Sequence, residues 1–457
     1  MNLEVVILAA GQGTRMRSPL PKVLHPVAGR PMLRHVIDTA RRLEPKAIHV
    51  VIGHGAEQVQ AALAGESLHW ALQSERLGTG HAVLQALPGV QRDSVVLVLY
   101  GDVPLISAES LAPLVAQAMN GPALLTAELD NSSGYGRILR SDAGALLGVV
   151  EDKDASAEQR LIKEINTGVM AAPAALLADY LPRVGNANTQ GEYYLPDVLS
   201  MTVADGLAVA SCQAPTEMEI LGVNDRLQLA QVEREYQQRQ ARQLLHAGVS
   251  LADPARIDIR GVLRCGINVS IDINAVFEGD VELGDNVSIG PNCVLINTRV
   301  GAGSAVHAMS HLEETQLGAN CNVGPFARLR PGTRLEDRAR VGNFVETKKA
   351  HIGEGSKVNH LSYVGDCAMG AGVNVGAGTI TCNYDGVNKH RTELGDGVFV
   401  GSNSTLVAPL SIAAGGFVAA GSTVTKAVGE DELAVGRGRQ RNISGWQRPG
   451  RDNQGEH

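Results

Sequence analysis

The stretch from Leu8 to Leu24 reads LAAGQGTRMRSPLPKVL and sets Gly11, Gly13, Arg15 and Lys22 directly behind a short apolar run. Glycine amides can approach a polyphosphate closely, and Arg15 and Lys22 can neutralise its charge as a leaving group departs. Standard phosphate loops do not fit: Met16 occupies the third glycine position of G-x-G-x-x-G, and no G-K-[ST] follows. Alone, the stretch describes a tight turn with solvated cations equally well. Asp102, in LVLYGDVPL, ends another apolar run, where a carboxylate is costly unless it caps a turn or meets a cation. A Mg2+ ion bridging phosphates takes only one or two protein oxygens, so Asp102 plus one further oxygen would complete a site. A turn ahead of Val103-Pro104 is the competing reading.

A second set of residues lies far along the chain. His360 sits between Asn359 and Leu361 in KVNHLSYVGD, and a histidine titrates where proton abstraction near neutrality needs it. The basic pair Lys348-Lys349, Arg330 and the irregular TCNYDG segment accompany it, enough to bind a sugar phosphate.

The elements that must hold these residues differ between the halves. In the first, apolar runs of strand length (Val5 to Leu8, Ala47 to Gly53, Val95 to Tyr100) alternate with helical spacing over Met32 to Leu43 and Glu57 to Leu63. That order predicts a mostly parallel sheet with helices on its faces, whose ligands bind beyond the carboxyl ends of the strands. Both LAAGQGTR and YGDVPL lie at such ends. After Asn224 a run without Gly or Pro until Gly248 predicts one long helix, with a thin apolar stripe of Leu227, Leu229, Val232 and Tyr236 and otherwise solvated faces. Beyond it an aliphatic recurs every six residues, at Leu283, Ile289, Leu317, Val323, Leu329, Leu335, Val341, Val358, Val364, Leu394, Val400, Leu406, Ile412, Val418 and Val424. Hexapeptide repeats predict a parallel β-helix with triangular coils. The rhythm breaks between Val375 and Leu394 and around ETKKAHIGEG, where loops are expected.

Composition narrows the classes of function. The 457 residues imply at least two domains, and 52 glycines with 3% aromatics suit a repetitive solenoid. A net charge of -8 gives no reason to expect nucleic acid. The six cysteines fall singly, with no CxxC, which speaks for a reduced compartment and against zinc or a disulfide framework. With no signal-like N-terminus and no long apolar run, a cytoplasmic protein without membrane insertion is expected.

The ordered motifs LAAGQGTRMRSPLPKVL, QSERLGTGHAV, LYGDVPL, GYGRI, VVEDKDA, EINTG and LGVNDRLQLA resemble those of sugar-nucleotide pyrophosphorylases. Followed by the helix and the hexapeptide region, from Leu3 to about Trp446, they resemble the bacterial bifunctional N-acetylglucosamine-1-phosphate uridylyltransferase and glucosamine-1-phosphate N-acetyltransferase family. The resemblance implies a Rossmann-like α/β nucleotidyltransferase domain (1–226), a linker helix (227–247) and a left-handed parallel β-helix with a C-terminal tail (248–457). It implies backbone contacts to UTP from Leu8, Ala9, Ala10 and Gly11, a phosphate contact at Lys22, and Arg15 as catalytic cation. Gln73, Gly78 and Thr79 would hold uracil, with Tyr100, Gly101 and Asp102 continuing the nucleotide site, and Gly136, Glu151 and Asn166 would hold the amino sugar. Asp102 and Asn224 match the Mg2+ ligands. In the β-helix, His360 matches the base, Arg330, Lys348, Tyr363 and Asn374 the sugar-phosphate contacts, and Ala377, Asn383, Tyr384, Ser402, Ala420 and Arg437 the acetyl-CoA contacts, supplied in that family by adjacent subunits of a homotrimer. The implied function is acetylation of glucosamine-1-phosphate followed by uridylyl transfer, yielding UDP-N-acetylglucosamine for peptidoglycan and lipopolysaccharide synthesis.

Two other readings compete. The β-helix could be a regulatory or oligomerising module on a single-activity nucleotidyltransferase, as in enzymes like ADP-glucose pyrophosphorylase. The first half could also bind nucleotide without chemistry. Against the former stand His360, Lys348 and the TCNYDG interruption; against the latter, Arg15, Lys22 and Asp102 together.

Overall fold

The strand Leu3–Leu8 alternates its side chains between two apolar layers: Val5 and Ile7 join Leu33, Val36 and Ile37 on one face, and Val6 joins Ala82, Val83 and Leu199 on the other. Such a strand is buried on both sides, which is why it reads as a continuous apolar run. The computed structural model describes residues 2–448 and divides into two compact units. One runs to Gln243 and takes in Ile259–Gly261; the other holds Leu244–Asp258 and the chain from Val262 onward.

In the first unit the main path of the sheet runs Ala210–Gln213, Ala123–Glu128, Glu164–Pro173, Val95–Tyr100, Leu3–Leu8, Ala47–Ile52, His69–Leu72. All neighbours are parallel except Glu164–Pro173, which runs antiparallel to both of its own. Order reverses at Leu3–Leu8, since successive strands lie on opposite sides of it. A crevice at such a switch point is where an open α/β sheet binds its ligand. Leu8 and Tyr100 are register partners there, and Gly101 N donates to Leu8 O at 2.9 Å, so the two candidate loops leave the sheet side by side.

The long helix spans Arg226–His246. It is less solvated than its thin stripe predicts. Val232 is fully buried beside Met16, Val27, Met32 and Leu105, and Gln237 exchanges two hydrogen bonds with the backbone of Ile259, at 2.7 and 3.0 Å. The helix is thus docked on the first unit through polar as well as apolar contacts, a use of Gln237 that hydropathy spacing does not register.

All fifteen aliphatics of the hexapeptide rhythm are buried, none exposed by more than 6%. They stack in the parallel ladders of two long sheets, as in the series Ile271, Ile289, Val306, Val323, Val341, Val358, Val375, Val400, Val418. Neighbours in that series are 17 or 18 positions apart, except Val375 and Val400, which pair across 25. The extra residues form the hairpin in which Tyr384 bridges Lys389, so the expected loop is present there. The break at ETKKAHIGEG is different: no loop is inserted. Thr347 takes the inward position between Leu329 and Val364, and its hydroxyl lies 3.0 Å from that of Thr333. A satisfied threonine substitutes for the aliphatic, so the pattern vanishes from the sequence while the coil continues.

Candidate active sites

The residues expected at the sites gather in two places, one in each unit. In the first unit a cavity of about 260 Å³ opens at the switch point, walled by Leu8, Ala9, Ala10, Gly11, Lys22, Gln73, Gly78, Thr79, Tyr100 and Asp102, together with Arg76 and Glu192. The two glycines of the opening stretch have separate jobs. At Gly11 a Cβ would meet nothing within 4 Å, which leaves the backbone open to a ligand. Gly13 is left-handed (φ 63°), and a Cβ there would lie 2.6 Å from the Cβ of Lys22. It makes room for the lysine rather than for a phosphate.

Lys22 is the hub of this site. Its ammonium pairs with Asp102 and donates to Asn224 Oδ1 at 3.3 Å. Asn224 is oriented by its own bonds, its Nδ2 donating to Gly222 O at 3.2 Å and its backbone N donating to Gln228 Oε1 at 2.8 Å, while Val223 N donates to Asp102 O at 2.9 Å. One carboxylate and one amide oxygen therefore face a single cation position. No group of three or more His, Cys, Asp or Glu side chains able to hold a metal occurs among the described residues. Two oxygen donors suit Mg2+, which keeps most of its waters and takes phosphate oxygens, and suit few tighter-binding metals.

Gln73 is buried in the cavity wall, and its Nε2 donates to Gly78 O at 3.1 Å and lies 3.1 Å from His81 Nδ1, which leaves Oε1 without a partner within the amide's own contacts. Thr79 Oγ1 accepts from Leu195 N at 3.1 Å. Arg15 lies on the short turn Thr14–Met16; it is exposed and outside the cavity wall. Gly136, Glu151 and Asn166 gather separately: Asn166 N donates to Gly136 O at 2.8 Å, and a Cβ on Gly136 would stand 3.2 Å from Glu151 Oε1. Burial first, then the carboxylates of Asp197, Asp154, Asp152 and Glu192, raise the Glu151 carboxyl above its ordinary range. Tyr100 links the groups, since its phenol is raised by burial and then by Asp102 and Glu151. Gly168 (φ 83°) was not singled out as a site residue, yet a Cβ there would be 2.7 Å from the Tyr100 ring. Its place in EINTG was the available signal.

In the second unit His360 ends the strand Lys357–His360, exposed at a cavity of about 330 Å³ with Asn343, Arg340 and Asn359. Its Nδ1 lies 2.9 Å from Asn343 Oδ1, the residue paired with it in the neighbouring coil. An amide oxygen only accepts, so in this contact the Nδ1–H of His360 donates. Sequence reading missed Asn343, which is visible only through coil register. Around the next corner, Arg330 pairs with Glu346 at 2.8 Å, and Tyr363 is the register partner of Glu346. Lys389, then Arg330, lower the Lys348 ammonium, placing three cations together. Asn374 stands on the strand beside Lys357.

The expected acetyl-CoA residues do not line one cavity. Ala377 O accepts from Asn403 N at 2.7 Å, Ser402 O from Gly421 N at 2.8 Å, and Ala420 O from Arg437 Nη1 at 2.7 Å, so Ala377, Ser402, Ala420 and Arg437 mark one corner in successive coils. Asn383 donates to Asp366 Oδ2 at 2.5 Å at the root of the inserted hairpin, and Tyr384 is 60% exposed on it. A larger cavity of about 730 Å³, between Ser250 and Pro325, contains none of these residues.

Residues 5–178 match the MobA-like NTP transferase domain, and residues 264–297 match the bacterial transferase hexapeptide (six repeats). Among relatives, the bifunctional protein GlmU of Marinobacter nauticus is 58% identical over 448 residues, covering 98% of this chain and 99% of its own. That of Pseudomonas putida is 58% identical over 450 residues, with the same coverage. The one from Alkalilimnicola ehrlichii is 56% identical over 455 residues, covering 99% of this chain and 98% of its own. Identity of this extent spans both units, the sheet with its Lys22 hub and the β-helix with its oriented histidine, and the chain belongs to the family of the bifunctional GlmU proteins.

Proposed function

We propose that the two activities of this family are divided between the two units. The chain is a bifunctional transferase of UDP-N-acetylglucosamine synthesis, serving the cell wall and acting on small molecules. The β-helix transfers acetyl from acetyl-CoA to glucosamine-1-phosphate, and the sheet unit then transfers uridylyl from UTP to N-acetylglucosamine-1-phosphate. The observation that carries this over a regulatory β-helix is the orientation of His360 by Asn343, which a structural module does not need.

In uridylyl transfer a phosphate oxygen of the sugar attacks the α-phosphorus of UTP, and the bond to pyrophosphate breaks in line. Both partners are anionic, so positioning and charge dominate. Gly11 admits the phosphates, Lys22 neutralises them, Arg15 reaches in from its turn, and Gln73 Oε1 accepts from the uracil ring. Glu151, Asn166 and Gly136 hold the amino sugar beyond Tyr100. Asp102 and Asn224 would hold Mg2+, which would supply charge stabilisation to the reacting phosphates. In acetyl transfer His360 Nε2 takes a proton from the glucosamine amine, the amine attacks the thioester carbonyl, and the CoA thiolate leaves. Arg330, Lys348, Tyr363 and Asn374 hold the sugar phosphate, while Ala377, Ser402, Ala420 and Arg437, with Asn383 and Tyr384, follow the CoA arm.

A homotrimer is supported by a corner of the β-helix where Met309, Phe326, Phe344 and Leu361 stand 49, 48, 56 and 63% exposed in four successive coils. All four have left-handed backbones (φ 51 to 60°), a conformation that Asn292, Gly378 and Asn403 hold in nearby coils. Bulky residues in that conformation cost about 1–2 kcal/mol each, which is hard to reconcile with a bare surface. No helix among the described residues is long and apolar enough to cross a membrane, and the unpaired cysteines fit a reduced compartment such as the cytoplasm. Thiol release from acetyl-CoA on adding glucosamine-1-phosphate tests the reading; no release would leave a single-activity nucleotidyltransferase.

A further inference from the structure

We propose that Lys22 is a latch on the cation site: without nucleotide its ammonium occupies the position between Asp102 and Asn224, so the divalent cation binds well only after a polyphosphate has drawn the lysine away. This deepens the reading of Asp102 and Asn224 as metal ligands and rests on it.

Three observations place the ammonium there. Lys22 pairs with Asp102 and donates to Asn224 Oδ1 at 3.3 Å, so both proposed ligand oxygens are engaged by one positive charge. The pair is poorly hydrated, the side chains of Lys22 and Asp102 being 13% and 17% exposed, so the bonds compete weakly with water and strongly with another cation. The stem is also fixed: Gly13 lies against the Lys22 Cβ, in a conformation that admits no side chain without strain. An ammonium and a divalent ion cannot share these two oxygens at contact distance, because like charges repel and both need the same lone pairs.

The latch has a second resting place. Lys22 lines the same cavity as Gly11, so the oxygens of a bound polyphosphate offer its ammonium an alternative partner. Nucleotide then releases Asp102 and Asn224 as it arrives, and nucleotide and cation bind with positive coupling. By reciprocity the cation must raise nucleotide affinity by the same factor. Premature cation binding is avoided by a competing charge built into the chain, with no moving lid.

The test uses Mn2+ as the probe, titrated into the full-length protein without nucleotide and followed by the loss of the free-ion electron paramagnetic resonance signal. Lys22→Met and Lys22→Gln should bind Mn2+ roughly tenfold tighter than the wild type, the scale set by removing one charge-assisted competitor. Lys22→Arg, which keeps the charge, should stay near wild type. Circular dichroism melting of each variant checks folding. Equal or weaker Mn2+ binding by both neutral variants, or tightening by Lys22→Arg as well, would overturn the latch. Asp102→Asn separates the two claims: if that variant binds Mn2+ as the neutral lysine variants do, the ligand assignment itself is wrong.

Discussion

His360 Nδ1 and Asn343 Oδ1 face each other at 2.9 Å across adjacent coils. Because the amide oxygen only accepts, it holds the imidazole with Nδ1–H toward Asn343, which leaves Nε2 for the base role proposed above. His360→Ala should lower kcat for acetyl transfer about 10²–10⁴-fold, the usual weight of a general base, and leave uridylyl transfer intact. Asn343→Leu should lose roughly tenfold and shift the pH profile, since the ring stays but its tautomer is no longer set. Thiol-release kinetics check both. Normal acetyl transfer by His360→Ala would remove the base assignment.

Asp102 is the carboxylate paired with Lys22, in the first unit and away from the residues around His360, so it should matter to one reaction alone. Asp102→Asn is expected to abolish uridylyl transfer and spare acetyl transfer, the reverse of His360→Ala. Excess chelator should reproduce the selectivity, stopping pyrophosphate release while thiol release continues. Full uridylyl transfer in chelator would rule out a divalent requirement.

What the sequence made legible follows from periodicity and chemistry along one strand of chain. The fifteen buried aliphatics and the places of Leu8 and Tyr100 at carboxyl ends of strands could be read because spacing alone sets them, whereas the pairing of those two strands could not. Asn343 could not, because its relation to His360 exists only once coils of 17 or 18 residues are in register. Thr347 misled in the other direction: a hydroxyl satisfied inside the coil looked like a loop. Gly13 looked like a phosphate-binding glycine but serves the Lys22 stem, a distinction that depends on φ and on which side the Cβ would point.

That distinction predicts opposite phenotypes for two glycines two positions apart. Gly13→Ala forces a left-handed alanine against the Lys22 Cβ, at a cost of about 1–2 kcal/mol for the backbone alone. It should lower the melting temperature and displace Lys22, reducing kcat for uridylyl transfer. Gly11→Ala has open space and should fold normally, raising KM for UTP by crowding the approach. Equal melting and equal KM values for the two variants would refute the assignment.

Glu151 gives a pH-dependent test. Its native carboxyl holds its proton to higher pH than the unfolded chain, whose ordinary value is 4.5, because burial and then Asp197 and its neighbours oppose ionisation. The native state therefore binds more protons than the unfolded state just above that value, and stability falls as pH rises through the native titration. Glu151→Gln removes the titration, so the variant should melt above wild type near neutral pH, and the gap should close toward about pH 4, where both states are protonated. A gap independent of pH would place the effect elsewhere. The same variant should lose affinity for N-acetylglucosamine-1-phosphate while its KM for UTP stays close to wild type.

Phe326 and Phe344 stack with centroids 5.2 Å apart, each about half exposed, one coil from Leu361 and around the corner from His360. If copies of the chain meet along this ridge, the acetyl-transfer residues, dispersed over open faces in a single chain, gain a neighbour to complete them. The double variant Phe326→Ser/Phe344→Ser removes the apolar contact without touching a buried coil position. It should shift sedimentation from trimer to monomer at micromolar concentration and lower acetyl transfer in proportion to the trimer lost, with a KM for acetyl-CoA that depends on protein concentration. Uridylyl transfer should be unchanged, since Lys22, Asp102 and Asn224 all come from one chain. A variant that remains trimeric would move the interface to another face of the β-helix, and a monomer with full acetyl transfer would show that the site needs no neighbour.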